Sequence, residues 1–191
     1  MQRPRDQIIS LPNHKLRQKS SACAINNHTL QLIENMKKAV IDWEESRNHE
    51  VGVALAAIQL NKPKSVVIIR DNYDNKDDKT FRIFINPEIT KLEGKIEEDF
   101  EGCLSIKDIY GKVPRYSQAR IKAQDLNGKT FKIKAEGFLS RVLQHEIDHT
   151  NGIVFIDHIK NTPEAFFKLT ESGELEQLDY EKAIRNNHIL W

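Results

Sequence analysis

His145-Glu146-Ile147-Asp148-His149 sets two imidazoles at i and i+4 with a carboxylate between them. On a helix these histidines stand one turn apart on one face and both reach a single metal ion. The glutamate is then close enough to take a proton from a water held there. That is the chemistry of metal-assisted hydrolysis. With 7 histidines and 16 glutamates in 191 residues, chance supplies the pattern about 0.02 times. The flanking Phe138, Val142, Ile147, Ile153, Val154 and Phe155 are apolar, and histidines in such surroundings need partners, which a metal provides.

A catalytic site of this type takes three protein ligands and leaves a position for water. The spacing HExxHxxGxxH is excluded as a source of the third: Gly152 fits, but Phe155 occupies the ligand position. Two sources stay open. Glu164, Glu171 or Glu174 could come from a later helix, and sequence spacing favours them. Cys103, which the immediate context favours, could come from the compact turn Glu101-Gly102-Cys103-Leu104-Ser105, where Gly102 frees the backbone. A lone cysteine is otherwise a small buried apolar residue.

The elements that must position these residues follow from periodicity. Apolar Leu30, Ile33, Met36, Val40 and Trp43 mark one face of a helix over Asn27–Glu45, with Lys37, Lys38, Glu44 and Glu45 outside that face and Asn26 or Asn27 as N-cap. Small apolar residues over 52–60 predict tightly packed backbone. Residues 65–69 and 81–85 predict a hairpin with a long polar tip at 71–80; Pro87 closes its second strand, and another strand runs through 95–99. Alternation over 119–125 and 129–135 around Asn127-Gly128 predicts a second hairpin. Helical spacing over 138–150 puts Phe138, Val142, His145 and His149 along one face. Thr162-Pro163-Glu164 reads as the start of a C-terminal helix, with Gly173 as an interruption. Strands followed by helices predict an α+β fold. Antiparallel or mixed sheets pack around the HExxH helix, with one helix N-terminal and one C-terminal. One catalytic domain over 1–191 is expected, its core at about 8–160 and a helical extension at about 162–188.

Composition sets outer limits. Lys plus Arg number 29 against 28 for Asp plus Glu, so no bulk field favours nucleic acid or an anionic membrane. Cys23 and Cys103 make no disulfide framework, and no apolar run approaches a membrane span or secretory signal. The expected location is the cytoplasm, with no specific nucleic-acid or membrane partner.

GVALAAIQL (52–60), EGCLS (101–105) and QHEIDH (144–149), in this order and at these separations, resemble the three signature motifs of the peptide deformylase family. Ile9-x-x-Pro12 with Leu16-Arg17, Asn86-Pro87-Glu88, Val113-Pro114-Arg115 and NGIVFID (151–157) extend the likeness over most of the chain. The resemblance implies removal of the formyl group from N-terminal formylmethionine of new polypeptides. It implies the metal set Cys103, His145 and His149, holding ferrous iron or, in its place, nickel, cobalt or zinc. Glu146 would move the protons, and the Gln59 amide and Leu104 backbone N–H would face the developing oxyanion. Val53, Phe138 and Val142 would line the methionine slot, with the backbone of Gly52, Val53 and Ala54 pairing with the peptide. Glu101, Arg115 and Asp148 would steady the site, Asp148 through an arginine. Ribosome docking through a C-terminal helix is a further implication. The first motif departs at Ala54, where a second glycine is usual, and at Ile58, where proline or threonine is common. A Cβ at residue 54 narrows the approach of substrate to backbone and forbids easy positive φ. Altered affinity or preference is the expected consequence, with the chemistry intact.

Overall fold

A computed structural model describes residues 3–47 and 49–185. Helix α1 (Asn27–Glu45) opens the main body, capped by the Asn26 side chain accepting from the Thr29 N–H. It packs Ile33, Met36, Ala39 and Val40 against the sheet, following the predicted stripe. Two positions differ. Leu30 is exposed, and Glu44, expected in solvent, is buried because Arg70 and Lys79 pair with its carboxylate.

The strands are β1 (Ala54–Ala56), β2 (Val66–Arg70), β3 (Phe81–Cys103), β4 (Ile106–Gln124), β5 (Thr130–Glu136), β6 (Phe166–Leu169) and β7 (Leu175–Gln177). All strand pairings are antiparallel, in the order β1-β2-β3-β4-β6-β7, with β5 also on β4. The 71–80 hairpin forms as expected, with Arg70 opposite Phe81. So does the 119–135 hairpin, with Gly128 at positive φ and the Asp125 carboxylate accepting from the Asn127 and Lys129 N–H groups.

Pro87 does not close the strand. β3 runs on through it, with a register shift between Ile85 and Glu88. At a bulge no ladder donor is needed, so proline fits. Asn86, at φ 51, holds the bulge by exchanging side-chain hydrogen bonds with the Cys23 backbone.

Helix α2 (Gly137–Thr150) carries the HExxH segment and buries ten of its residues, from Ser140 to Thr150. It packs on β1, β4 and β5, at the centre of the fold. Gly152 (φ +76) ends it in a left-handed turn, and any Cβ there would strike the Arg17 carbonyl at 2.3 Å. A short helix α3 (Ile156–Ile159) follows.

The predicted C-terminal helix does not form over 162–177. Pro163–Ala165 makes one 3-10 turn, and β6 and β7 then extend the sheet from the open edge of β4 at 109–111. Local capping signals lost to sheet pairing, because an uncovered edge and apolar Phe166 offered more burial than an isolated helix. The helix proposed for ribosome docking is therefore absent over 162–177; one short π-helical turn forms within its predicted span at Glu181–Arg185, and its last positions, 186–188, lie outside the described residues. Among the described residues no helix is long and apolar enough to cross a membrane.

Candidate metal centre

The Cys103 Sγ and one ring nitrogen each from His145 and His149 lie within 4.8 Å of one another, all three residues buried. Cys103 Sγ and His149 Nε2 are 3.3 Å apart. A tetrahedral ion with bonds of about 2.0–2.3 Å separates its ligands by roughly 3.3–3.6 Å, so the donors need only a small inward movement to close on one ion. Glu164, Glu171 and Glu174 are exposed and none joins this cluster. Phe155, at the excluded ligand position, instead packs its ring parallel to that of His145, 6.1 Å away.

The two histidines come from successive turns of α2, and the cysteine from the tight turn joining β3 to β4. Gly102 is required there because a Cβ would meet the Tyr110 ring at 2.6 Å. The imidazoles sit edge to face at 4.9 Å but differ in support. His145 Nδ1 is 2.9 Å from Glu101 Oε2, which leaves its Nε2 for an ion. His149 Nδ1 is buried with no partner. Burial opposes charge on His145, yet the contacts with Cys103 and Glu101 outweigh it and hold its pKa well above the ordinary value. Burial pushes His149 well below, reinforced by the charges of His145 and Arg115. With an ion held by Cys103, His145 and His149, His145 would bind through Nε2 and keep its Nδ1–H on Glu101.

Glu101 organises the wall behind His145. Burial opposes its ionisation, but His145 and then Arg115 hold its carboxyl well below the usual range. Arg115 donates to both its oxygens at 2.9 and 3.1 Å and also reaches Asp148 Oδ2 at 2.5 Å, the arginine link expected for Asp148. A second buried arginine was not foreseen. Arg141, one turn before His145, donates to Glu101 Oε1 at 2.8 Å and to the carbonyls of Glu97, Asp99 and Val113. Its i−4 spacing from His145 was the one available signal, and surface arginines share it.

Glu146 lies on the cavity side. Its Oε2 is buried and unpartnered, and burial raises its carboxyl to about 7, against the lowering effect of His145. The Gln59 side chain is aimed at the same place: Oε1 accepts from the Ala56 N–H at 2.8 Å, so Nε2 points to Ser105 Oγ (3.1 Å) and Cys103 Sγ (3.5 Å). A cavity of about 300 Å³ opens here, and Val53, Ala54, Leu104, Phe138 and Val142 are in its wall. Gly52 lies outside that wall. A Cβ there would strike Val40 at 2.5 Å, and its N–H donates to Glu44. Ala54 is ordinary β-strand backbone, and positive φ is not demanded of it.

A sulfur and two imidazoles poised around one ion, with an unpartnered glutamate carboxylate beside them and an apolar slot adjoining, define a metallohydrolase of the HExxH type. The profile of the polypeptide deformylase family matches residues 5–164. A peptide deformylase of Agrobacterium fabrum is 39% identical over 153 residues, covering 80% of this chain and 85% of that protein. The solved peptide deformylase of Plasmodium falciparum superposes with a TM-score of 0.74 at 28% identity, covering 95% of this chain and 92% of that one. A class I type b enzyme from Acinetobacter baumannii, solved with Met-Ala-Ser bound, gives 0.70 at 28%, over 80% and 96%. The chain belongs to the polypeptide deformylase family.

Proposed function

We propose that the chain hydrolyses the N-formyl amide of N-terminal formylmethionine in new polypeptides, releasing formate, with its residues dividing the work as follows. The observation that carries this reading is the Cys103, His145 and His149 donor cluster within 4.8 Å, set beside the buried, unpartnered Oε2 of Glu146. A divalent ion held by those three residues, ferrous iron by preference and nickel, cobalt or zinc in its place, supplies Lewis acidity toward the formyl oxygen and a more acidic water.

Glu146 takes a proton from the attacking water and returns it to the departing amine. A carboxyl near 7 is matched to exchanging that proton in both directions at neutral pH. Gln59 Nε2, fixed by the grip of Ala56 on its oxygen, donates to the oxygen that becomes negative, together with the Leu104 N–H. Val53, Phe138 and Val142 receive the methionine side chain. The edge strand β1, paired among the described residues only with β2, and Val53 just before it offer backbone to the extended peptide, whereas Gly52 has its N–H on Glu44 and its carbonyl on Arg70. The A. baumannii relative binds Met-Ala-Ser, which supports a peptide beginning with methionine as the ligand.

The test is formate release from formyl-Met-Ala-Ser by protein prepared without oxygen and loaded with iron or nickel. Metal-dependent release that is lost in Glu146→Ala and in Cys103→Ser is the expected result. No release from a fully metallated wild type would overturn the assignment.

A further inference from the structure

The polar loop 71–80 carries a single aromatic residue, Tyr73. Its ring is half-buried and packs on Phe138 with centroids 4.7 Å apart and planes tilted by 56°. Phe138 belongs to the first turn of α2, is 42% exposed and stands in the cavity wall with Val53 and Val142. A phenyl ring so open to solvent has several rotamers available, and only a neighbour on its outer side restricts them.

The loop that brings Tyr73 there is itself fastened. Arg70, 1% exposed, donates into it at the carbonyls of Lys76 and Asp78. The same guanidinium donates to the Gly52 carbonyl and to Glu44, while Lys79 also pairs with Glu44. Asn75 and Asp78 form side-chain turns with the N–H groups of Asp77 and Thr80. One buried ion pair thus anchors the base of the loop and the start of β1 together, and the loop's one aromatic ring packs on Phe138 in the cavity wall.

We infer that Tyr73 is a positioning residue for specificity: it fixes the Phe138 ring and so sets the width of the slot for the substrate's first side chain. Resting on the deformylase reading, this makes the 71–80 loop a part of the recognition site. Held inward, the phenyl ring leaves room for an unbranched thioether chain and excludes a bulky ring. Without Tyr73 the ring swings outward, the methionine loses contact, and larger side chains enter.

The experiment compares wild type, Tyr73→Ala and Tyr73→Phe on formyl-Met-Ala-Ser and formyl-Phe-Ala-Ser. An aromatic pair of this geometry corresponds to about two- to tenfold. In Tyr73→Ala, KM for the formyl-Met peptide rises by that factor with kcat within twofold, and the preference for formyl-Met over formyl-Phe falls by a similar factor. Tyr73→Phe, which keeps the ring, restores wild-type values. Titration of Met-Ala-Ser and Phe-Ala-Ser into the same three proteins reads the slot without turnover. An inactive wild type therefore counts against the deformylase reading, while the binding ratio still decides the role of Tyr73. Unchanged KM, affinity and preference in Tyr73→Ala would overturn the inference, as would kcat and metal content falling together.

Discussion

The two sides of helix α2 around the histidines are both buried and both polar, yet they are built on opposite rules. Behind His145 every charge is answered: Glu101 is met by Arg115, Arg141 and His145, and Asp148 by Arg115 and His158. By contrast Glu146 Oε2, in the cavity wall, and His149 Nδ1, the ring nitrogen turned away from Cys103, have no protein partner. Satisfied buried networks are rigid, whereas unanswered groups are costly and persist where chemistry uses them. The opposite pKa directions of His145 and His149 express the same asymmetry. The Nδ1 of one histidine is held by an outer carboxylate, and that of the other has no such partner.

The largest break in that comparison comes from the reactive side. Glu146→Ala is expected to lower kcat about 10²–10⁴-fold while metal content and thermal stability stay at wild-type level. A parallel loss of stability would place Glu146 with the structural wall instead.

Glu101→Ala should do the reverse. It strips buried Arg141 of its counter-charge and leaves Arg115 with Asp148 alone, for a loss of about 3–5 kcal/mol in urea unfolding. It also removes the carboxylate from His145 Nδ1, weakening metal affinity about 10- to 100-fold. Wild-type stability in this variant would show that water replaces the carboxylate.

Arg141→Leu sharpens the contrast within the wall, since Arg115 still holds Glu101. The expected cost is about 1.5–3 kcal/mol, read as a shifted urea midpoint, with kcat retained once metal is bound.

A smaller effect is expected away from the metal, at the Glu44–Arg70 pair. Burial opposes ionisation of Glu44, but Lys79, the Gly52 N–H and Arg70 together lower its pKa below the ordinary 4.5. A lowered folded-state value stabilises the fold above the unfolded pKa, and that contribution disappears as pH falls through the folded one. Glu44→Gln should therefore cost about 1 kcal/mol at neutral pH and flatten the acid side of the stability profile. An unchanged acid limb would remove Glu44 from the account.

Much of the site was legible because its spacing is local. HExxH is a one-turn repeat, so the helix alone brings His145 and His149 together. The apolar stripe of α1 and the alternating strands 119–125 and 129–135 are local in the same sense. Cys103 was legible only as one of several candidate third ligands until the motif resemblance singled it out. Arg141 and the burial of Glu44 were not legible, because nothing in either residue's neighbourhood distinguishes it from a solvated charge. Their partners lie tens of residues away, on β3, β4 and β2.

The sequence by itself determined the two histidines, the glutamate between them and the helix that presents them, since these rest on contacts within a few residues. Tertiary structure decided the rest. It made 166–177 a pair of strands, because the open edge of β4 outweighed a capping signal worth only about 1 kcal/mol. It carried β3 through Pro87, because Asn86 and the Cys23 backbone hold a bulge there. It also chose Cys103 over three exposed glutamates, because among the described residues the β3–β4 turn brings the third donor atom to the two histidines of α2.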